Sequence, residues 1–212
     1  MSNYKLICFD MDGVLFKAHN FWMQVHKTYG TFEKGRKLTD QYLLTDYAKL
    51  VQKVVVELWM GRPAKPYNEL VNSIKYFDNV LPTLKEIKKR DYLITIITCG
   101  PKELVGRLVK DGAPIDYSYY NELVIENSKV SGKFEWPVAE GHMKKVYLLN
   151  EICKKVNINL THVIGVADGK SDEEMMEACG KRIAFCPTSE KIRELADVII
   201  EKDDLSEILK YV

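Results

Sequence analysis

No Cys-X-X-Cys pair, no Gly-X-X-X-X-Gly-Lys-Ser/Thr loop, no block of like charge and no apolar run of membrane-spanning length occurs in this sequence. Each absence removes a class of function. The five cysteines, Cys8, Cys99, Cys153, Cys179 and Cys186, are odd in number and scattered, so neither a zinc site nor a disulfide framework is expected. Most sit in apolar surroundings, as small buried hydrophobes do in a reducing cytosol. Without a phosphate loop the chain is not a nucleoside triphosphatase of that class. With 31 basic and 30 acidic residues the formal net charge is +1, which supplies no long-range attraction to nucleic acid or to an anionic membrane. The first residues enter a strand pattern at once, lack the basic, apolar, small-residue order of a signal peptide, and lead to the expectation of a cytoplasmic, soluble protein. Internal repeats and low-complexity tracts are missing as well.

What is present is the composition of an ordinary globular protein. The 212 residues, 46% hydrophobic and 29% charged, suffice for one sizeable core with a smaller lobe. Short apolar runs, Lys5 to Phe9, Tyr92 to Ile97, Val163 to Ala167, Arg182 to Phe185 and Val198 to Ile200, alternate with helical patterns. That alternation predicts an α/β fold, a Rossmann-like three-layer arrangement around a parallel sheet. Between Tyr117 and Lys133 a strand pair or hairpin is expected. After the first strand the chain departs into a mostly helical insertion, read as three helices: Phe21 to Tyr29, Leu43 to Trp59, and Asn68 to Tyr76. The expected division is a core of residues 1–15 and 79–212 and a helical cap of residues 16–78. The aromatic stripe of the insertion, Trp22 and Trp59 included, reads as cap core.

The first strand delivers Asp10 and Asp12, two residues apart, to the turn at Gly13. Residues i and i+2 of a strand face the same side, so the two carboxylates lie together and repel. Taken alone, Asp-X-Asp-Gly is as well explained by a solvated turn. Two further strands also end in short polar loops, Thr98-Cys99-Gly100 and Asp168-Gly169-Lys170-Ser171-Asp172. In a parallel sheet, ligands bind beyond the carboxyl ends of the strands, so the three loops should converge. A helix cap would explain one of Asp168 and Asp172, but not four carboxylates in one place. An all-oxygen donor set favours a hard cation such as Mg²⁺.

The motif from Asp10 to Leu15, the Thr98 strand end, a lysine-led helix and the Asp168/Asp172 pair together resemble the haloacid dehalogenase superfamily, in its phosphoserine phosphatase-like branch. The resemblance covers the whole core in the expected order. It implies a Mg²⁺-dependent phosphatase acting on a small phosphorylated metabolite through an aspartyl phosphate. Asp10 would be the nucleophile and Asp12 the proton carrier. Thr98, with backbone amides near Cys99 and Gly100, would bind the phosphoryl group, and Lys145 would neutralise charge. Asp10, the Asp12 carbonyl and Asp168 would hold Mg²⁺, with Asp172 behind them. Lys145 is favoured over Lys144 by its distance from Ile158-Asn159-Leu160.

Two departures stand out. The usual Gly-Asp-Gly-X-Asn-Asp reads Ala167-Asp168-Gly169-Lys170-Ser171-Asp172, and His19 stands where the branch places a cap glutamate for the substrate amino group. A histidine offers no fixed negative charge to an ammonium, which counts against phosphoserine as the substrate. His26 and Arg62 are weaker candidates for substrate contact. Rival readings are a metal-independent dehalogenase, a phosphotransferase or mutase, and a catalytically silent binding protein of the same fold. A monomer or a homodimer is expected.

Overall fold

The computed structural model describes residues 4–138 and 144–212. Seven strands, β1 (Leu6–Phe9), β2 (Leu93–Pro101), β3 (Tyr117–Glu126), β4 (Lys129–Glu135), β5 (Val163–Ala167), β6 (Lys181–Phe185) and β7 (Val198–Ile200), form one sheet in the order β4-β3-β2-β1-β5-β6-β7. Every neighbouring pair is parallel except the β3–β4 hairpin. The side chains of β1 alternate between two apolar clusters: Ile7 and Phe9 join one, Leu6 and Cys8 the other. Burial on both faces is why the strand reads as a continuous apolar run.

Between β1 and the next core element lie α1 (Phe21–Thr28), α2 (Phe32–Tyr42), α3 (Tyr47–Gln52), a π-helical continuation of α3 over Lys53–Trp59, and α4 (Ala64–Ser73). The insertion therefore has one helix more than its apolar spacing predicts. Only Gly35 is fully buried on α2, and its few apolar residues, Phe32, Leu38 and Tyr42, are half-buried, a sparse stripe that does not stand out in the sequence. The long second helix begins at Tyr47 rather than Leu43, and α4 begins at Ala64 rather than Asn68. Backbone bonds tie the insertion to the hairpin: Gly61 N–H donates to Val130 O at 2.9 Å, and Ala64 N–H to Ser128 O at 2.8 Å. Arg107 reaches across to the carbonyls of Val71 and Ile74 at 2.6 and 2.9 Å.

Helices α5 (Val80–Lys89) and α6 (Lys102–Lys110) cover one face of the sheet with Leu84, Ile87, Leu104 and Leu108. Helices α7 (Lys144–Lys155), α8 (Glu173–Ala178) and α9 (Glu190–Leu195) cover the other with Leu149, Ile152, Met176 and Ile192. This is the expected three-layer α/β core. The helix predicted from His142 is described from Lys144 onward, His142 itself lying outside the described residues. Strand β2 runs through Thr98-Cys99-Gly100-Pro101, the stretch predicted to end it, with a register slip between Ile97 and Pro101. The closing segment Leu205–Lys210 is a 3-10 helix.

Within the insertion, His26 is buried. Its Nδ1 lies 2.8 Å from Thr31 Oγ1, its ring packs 4.7 Å from that of Trp59, and a Cβ on Gly35 would collide with it. Burial pushes its pKa down to about 4. A histidine whose folded pKa lies below its unfolded value of about 6.5 contributes stability that is full above about pH 6.5 and is lost as pH falls toward 4. Relative to His26→Gln, which cannot titrate, the wild type is expected to lose up to about 3 kcal/mol between pH 7 and pH 4. Parallel denaturant titrations check this, and identical pH dependence of the two proteins would contradict it.

Candidate active site

The parallel registers set Phe9 level with Ile96 on one side and Val166 on the other. Thr98 and Asp168 therefore lie one position beyond the level of Asp10, at the carboxyl edge of three adjacent strands. β1 is the strand from which the chain order diverges in both directions, the position where open sheets form a crevice. A cavity of about 250 Å³ opens there. Its floor is Asp10, Asp12, Thr98, Cys99, Gly100, Asp168 and Ser171, and its roof is His19, Asn20, Phe21, Trp22 and Tyr47 from the insertion.

Lys145 enters from the far side of the sheet. Its side chain is 3% exposed, and its Nζ lies 2.9 Å from Asp10 Oδ1 and 2.7 Å from Asp172 Oδ1. Burial alone would lower the lysine pKa, but the two carboxylates outweigh it and hold the ammonium well above its ordinary range. Ser171 Oγ donates to Asp172 Oδ2 at 3.0 Å, so both oxygens of Asp172 are engaged. The shorter side chain that replaces asparagine here thus still holds the carboxylate. Lys144 instead lies over the Tyr147 ring.

Asp12 turns the other way. Its Oδ2 accepts the Phe21 N–H at 3.3 Å, and its buried Oδ1 has no partner among the described residues. Burial first, and then the Asp10 charge, pushes its pKa up to about 7. A carboxyl poised near neutrality in the lining of the cavity can both give and take a proton. The same two causes, with Asp172 added, raise Asp168 to about 8.

Thr98 is oriented by the Gly100 N–H, which donates to Thr98 Oγ1 at 2.8 Å. The hydroxyl proton of Thr98 is thereby left to donate elsewhere. The Cys99 carbonyl accepts from Trp22 Nε1 at 2.6 Å and from the buried Asn121 Nδ2 at 3.0 Å, which fixes the loop from the insertion and from β3 at once. Glycine is required at two places. A Cβ on Gly100 would crowd Met11, Asp12 and Thr98, and one on Gly13, at φ +82°, would strike the Asp168 carboxylate.

Oxygens of Asp10, Asp168 and Asp172 lie within 4.8 Å of one another, all three residues buried. Three carboxylates around one lysine leave excess negative charge, and the all-oxygen donor set suits a hard divalent cation. The Asp12 carboxylate does not belong to this trio, so its expected contribution to a metal is through its carbonyl. His19, 60% exposed, places Nδ1 3.4 Å from Asp168 Oδ2. Neither His26 nor Arg62 lines the catalytic cavity. Thr188, absent from the sequence reading, backs Asp168 through its N–H, 2.7 Å from the Asp168 carbonyl, and its hydroxyl. Trp22, read as core, forms part of the cavity roof.

A family model of haloacid dehalogenase-like hydrolases matches residues 74–212. The phosphoserine phosphatase of Methanocaldococcus jannaschii is 30% identical over 210 residues, 98% of this chain and 97% of that protein. Over 202 residues, 95% of this chain and 58% of that protein, the phosphoserine phosphatase of Archaeoglobus fulgidus is 28% identical. A solved phosphoserine phosphatase, described as a phospho-aspartyl intermediate analogue, superposes with a TM-score of 0.81 at 30% identity, covering 99% of both chains. The fold, the convergent loops and these likenesses agree: the chain belongs to the haloacid dehalogenase superfamily, in its phosphoserine phosphatase-like branch, and is a phosphatase.

Proposed function

We propose that the protein is a Mg²⁺-dependent phosphatase of a small phosphomonoester and that Asp10 carries the phosphoryl group between two half-reactions. The observation that supports this best is the buried contact of Lys145 with Asp10, together with an Asp12 Oδ1 that has no partner among the described residues. Lys145 pairs with one oxygen of Asp10 and leaves the other to the cavity that Asp10 lines. In the first step an Asp10 oxygen bonds to phosphorus as the bond from phosphorus to the ester oxygen breaks, and the Asp12 proton passes to the departing oxygen. In the second, Asp12 takes a proton from water while the water oxygen attacks phosphorus, releasing orthophosphate and the Asp10 carboxylate. The Thr98 hydroxyl and Lys145 stabilise the charge spread over the phosphoryl oxygens. Asp10, Asp168 and the Asp12 carbonyl would hold Mg²⁺, with Asp172 in its outer shell. When bound, the ion offsets the repulsion between a carboxylate and a phosphate dianion, several kcal/mol in a site of low dielectric.

Phosphate release from a panel of phosphomonoesters, with and without a chelator, tests this reading. Turnover is expected to fall at least about 10²-fold on chelation and to return with added Mg²⁺. Full turnover in chelator, or none of these esters hydrolysed with Mg²⁺ present, would overturn it.

A further inference from the structure

The catalytic cavity has a neighbour. A second cavity of about 90 Å³ lies inside the helical insertion, and Asn20, Trp22 and Tyr47 line both. The walls of this annex are Leu43, Leu50, Val51, Val54, Val55 and Trp59, closed by Trp136 from the end of the hairpin. Its few polar groups are occupied or uncharged. His26 faces Thr31, and burial holds its ring neutral, while Tyr47 accepts the Trp136 indole N–H at 3.1 Å. All three tryptophans of the chain meet at this wall, with Trp22 4.2 Å from Trp136 and 5.9 Å from Trp59 between ring centroids.

Charge is divided sharply across the two cavities. Every carboxylate and lysine that lines them belongs to the core loops, around the phosphoryl position. From the insertion, no Asp, Glu, Lys or Arg among the described residues lines either cavity. A phosphorylated amino acid that reached into the annex would bring charge to a lining without Asp, Glu, Lys or Arg among the described residues, since His19 and Lys170 line the catalytic cavity alone, and unpaired charges in such a place are costly. An apolar group would meet matching walls.

Resting on the phosphatase reading above, we propose that the annex seats an apolar group of the substrate. The preferred substrates are then phosphomonoesters of uncharged, short-chain alkyl alcohols, not of amino acids. Trp22 and Tyr47, shared by both cavities, flank the ester linkage between phosphoryl group and tail. The annex is smaller than the apolar cavity of about 150 Å³ that accepts benzene, so a short branched alkyl group fits and an aromatic ring does not. Each methylene buried there is worth about fourfold in affinity.

The test compares kcat/KM of the Mg²⁺-loaded enzyme for 3-methylbutyl phosphate, methyl phosphate and phosphoserine. A second arm titrates 3-methylbutylphosphonate against the tryptophan fluorescence, which arises wholly at the annex wall. The expected result is at least a tenfold preference for 3-methylbutyl phosphate over both other esters, with saturable fluorescence change on the phosphonate. Leu43→Phe and Val54→Phe, which fill the annex from two sides, should each cut that preference and weaken phosphonate binding about tenfold, with thermal melts reporting which variant is folded. A preference for phosphoserine, or a preference untouched in a folded filled variant, would overturn the proposal. If no ester is hydrolysed, the phosphatase reading fails by itself, and the fluorescence arm decides the annex: saturable binding lost on filling supports it, and no binding refutes it.

Discussion

Asp10→Asn is expected to lower kcat on the order of 10⁴-fold or more, the scale on which enzymes depend on their nucleophile. The amide keeps the size of the side chain and can still face Lys145, so the fold should persist. Its effect on stability separates two accounts of the residue. Burial first, and the Asp10 charge next, raise the pKa values of Asp12, Asp168 and Asp172, as expected of one carboxylate too many around a single lysine. Neutralising it should therefore stabilise the metal-free protein while reducing the rise in Tm that Mg²⁺ produces. A residue with a purely structural role beside Lys145 would give the opposite: a lower Tm without metal and turnover within a few fold of wild type. Calorimetry with and without Mg²⁺, together with steady-state kinetics, distinguishes the two.

The second large effect belongs to Lys145→Met. Lys145 is the common partner of Asp10 and Asp172, all three nearly excluded from solvent. Removing the cation that the two carboxylates share leaves buried charge uncompensated and costs about 3–5 kcal/mol. Loss of a donor aimed at the phosphoryl group should lower kcat by a further factor on the order of 10³. The penalty depends on pH in a definite sense. Burial, and then the Asp10 charge, already push Asp172 up to about 7 against the pull of Lys145, and without the ammonium it stays above its unfolded pKa of about 3.9, so the unfolded chain sheds its proton first. Stability of the variant should fall as pH rises from 4 toward 8. Denaturant titrations across that range check the slope, and a flat or rising difference from wild type would refute the assigned role of the lysine.

Much of the core was legible because its strands are buried on both faces. β5 and β7 were predicted at the residues observed, since an apolar run closed by polar residues leaves little choice of register. The helical insertion was less legible. Helix α2 escaped because its apolar residues are few and only half-buried, and the widened turns over Lys53–Trp59 leave no mark on apolar spacing. β2 was cut short at Thr98 because Gly100 and Pro101 read as a terminator, whereas the slipped register with β3 absorbs both.

The site divided along similar lines. The structure brings Asp10, Asp12, Thr98, Lys145, Asp168 and Asp172 to one place, as the converging strand ends and the family resemblance led one to expect. Trp22 was assigned to the cap core from its helical spacing, which cannot distinguish a side chain facing the core of the insertion from one facing the cavity below. Asn121 and Thr188 were silent in sequence for a different reason. Each acts on a backbone carbonyl, of Cys99 and of Asp168, brought near only by the fold. The annex follows from where α1, α3 and the hairpin meet, which no local pattern encodes.

The central claim is a covalent phosphoryl group on Asp10. Wild-type enzyme turning over any phosphomonoester it accepts, quenched in acid and reduced with borohydride, should yield a peptide with homoserine at position 10, and Asp10→Asn should yield none. An active enzyme with aspartate intact at position 10, or with the reduced residue at another carboxylate, would contradict the account.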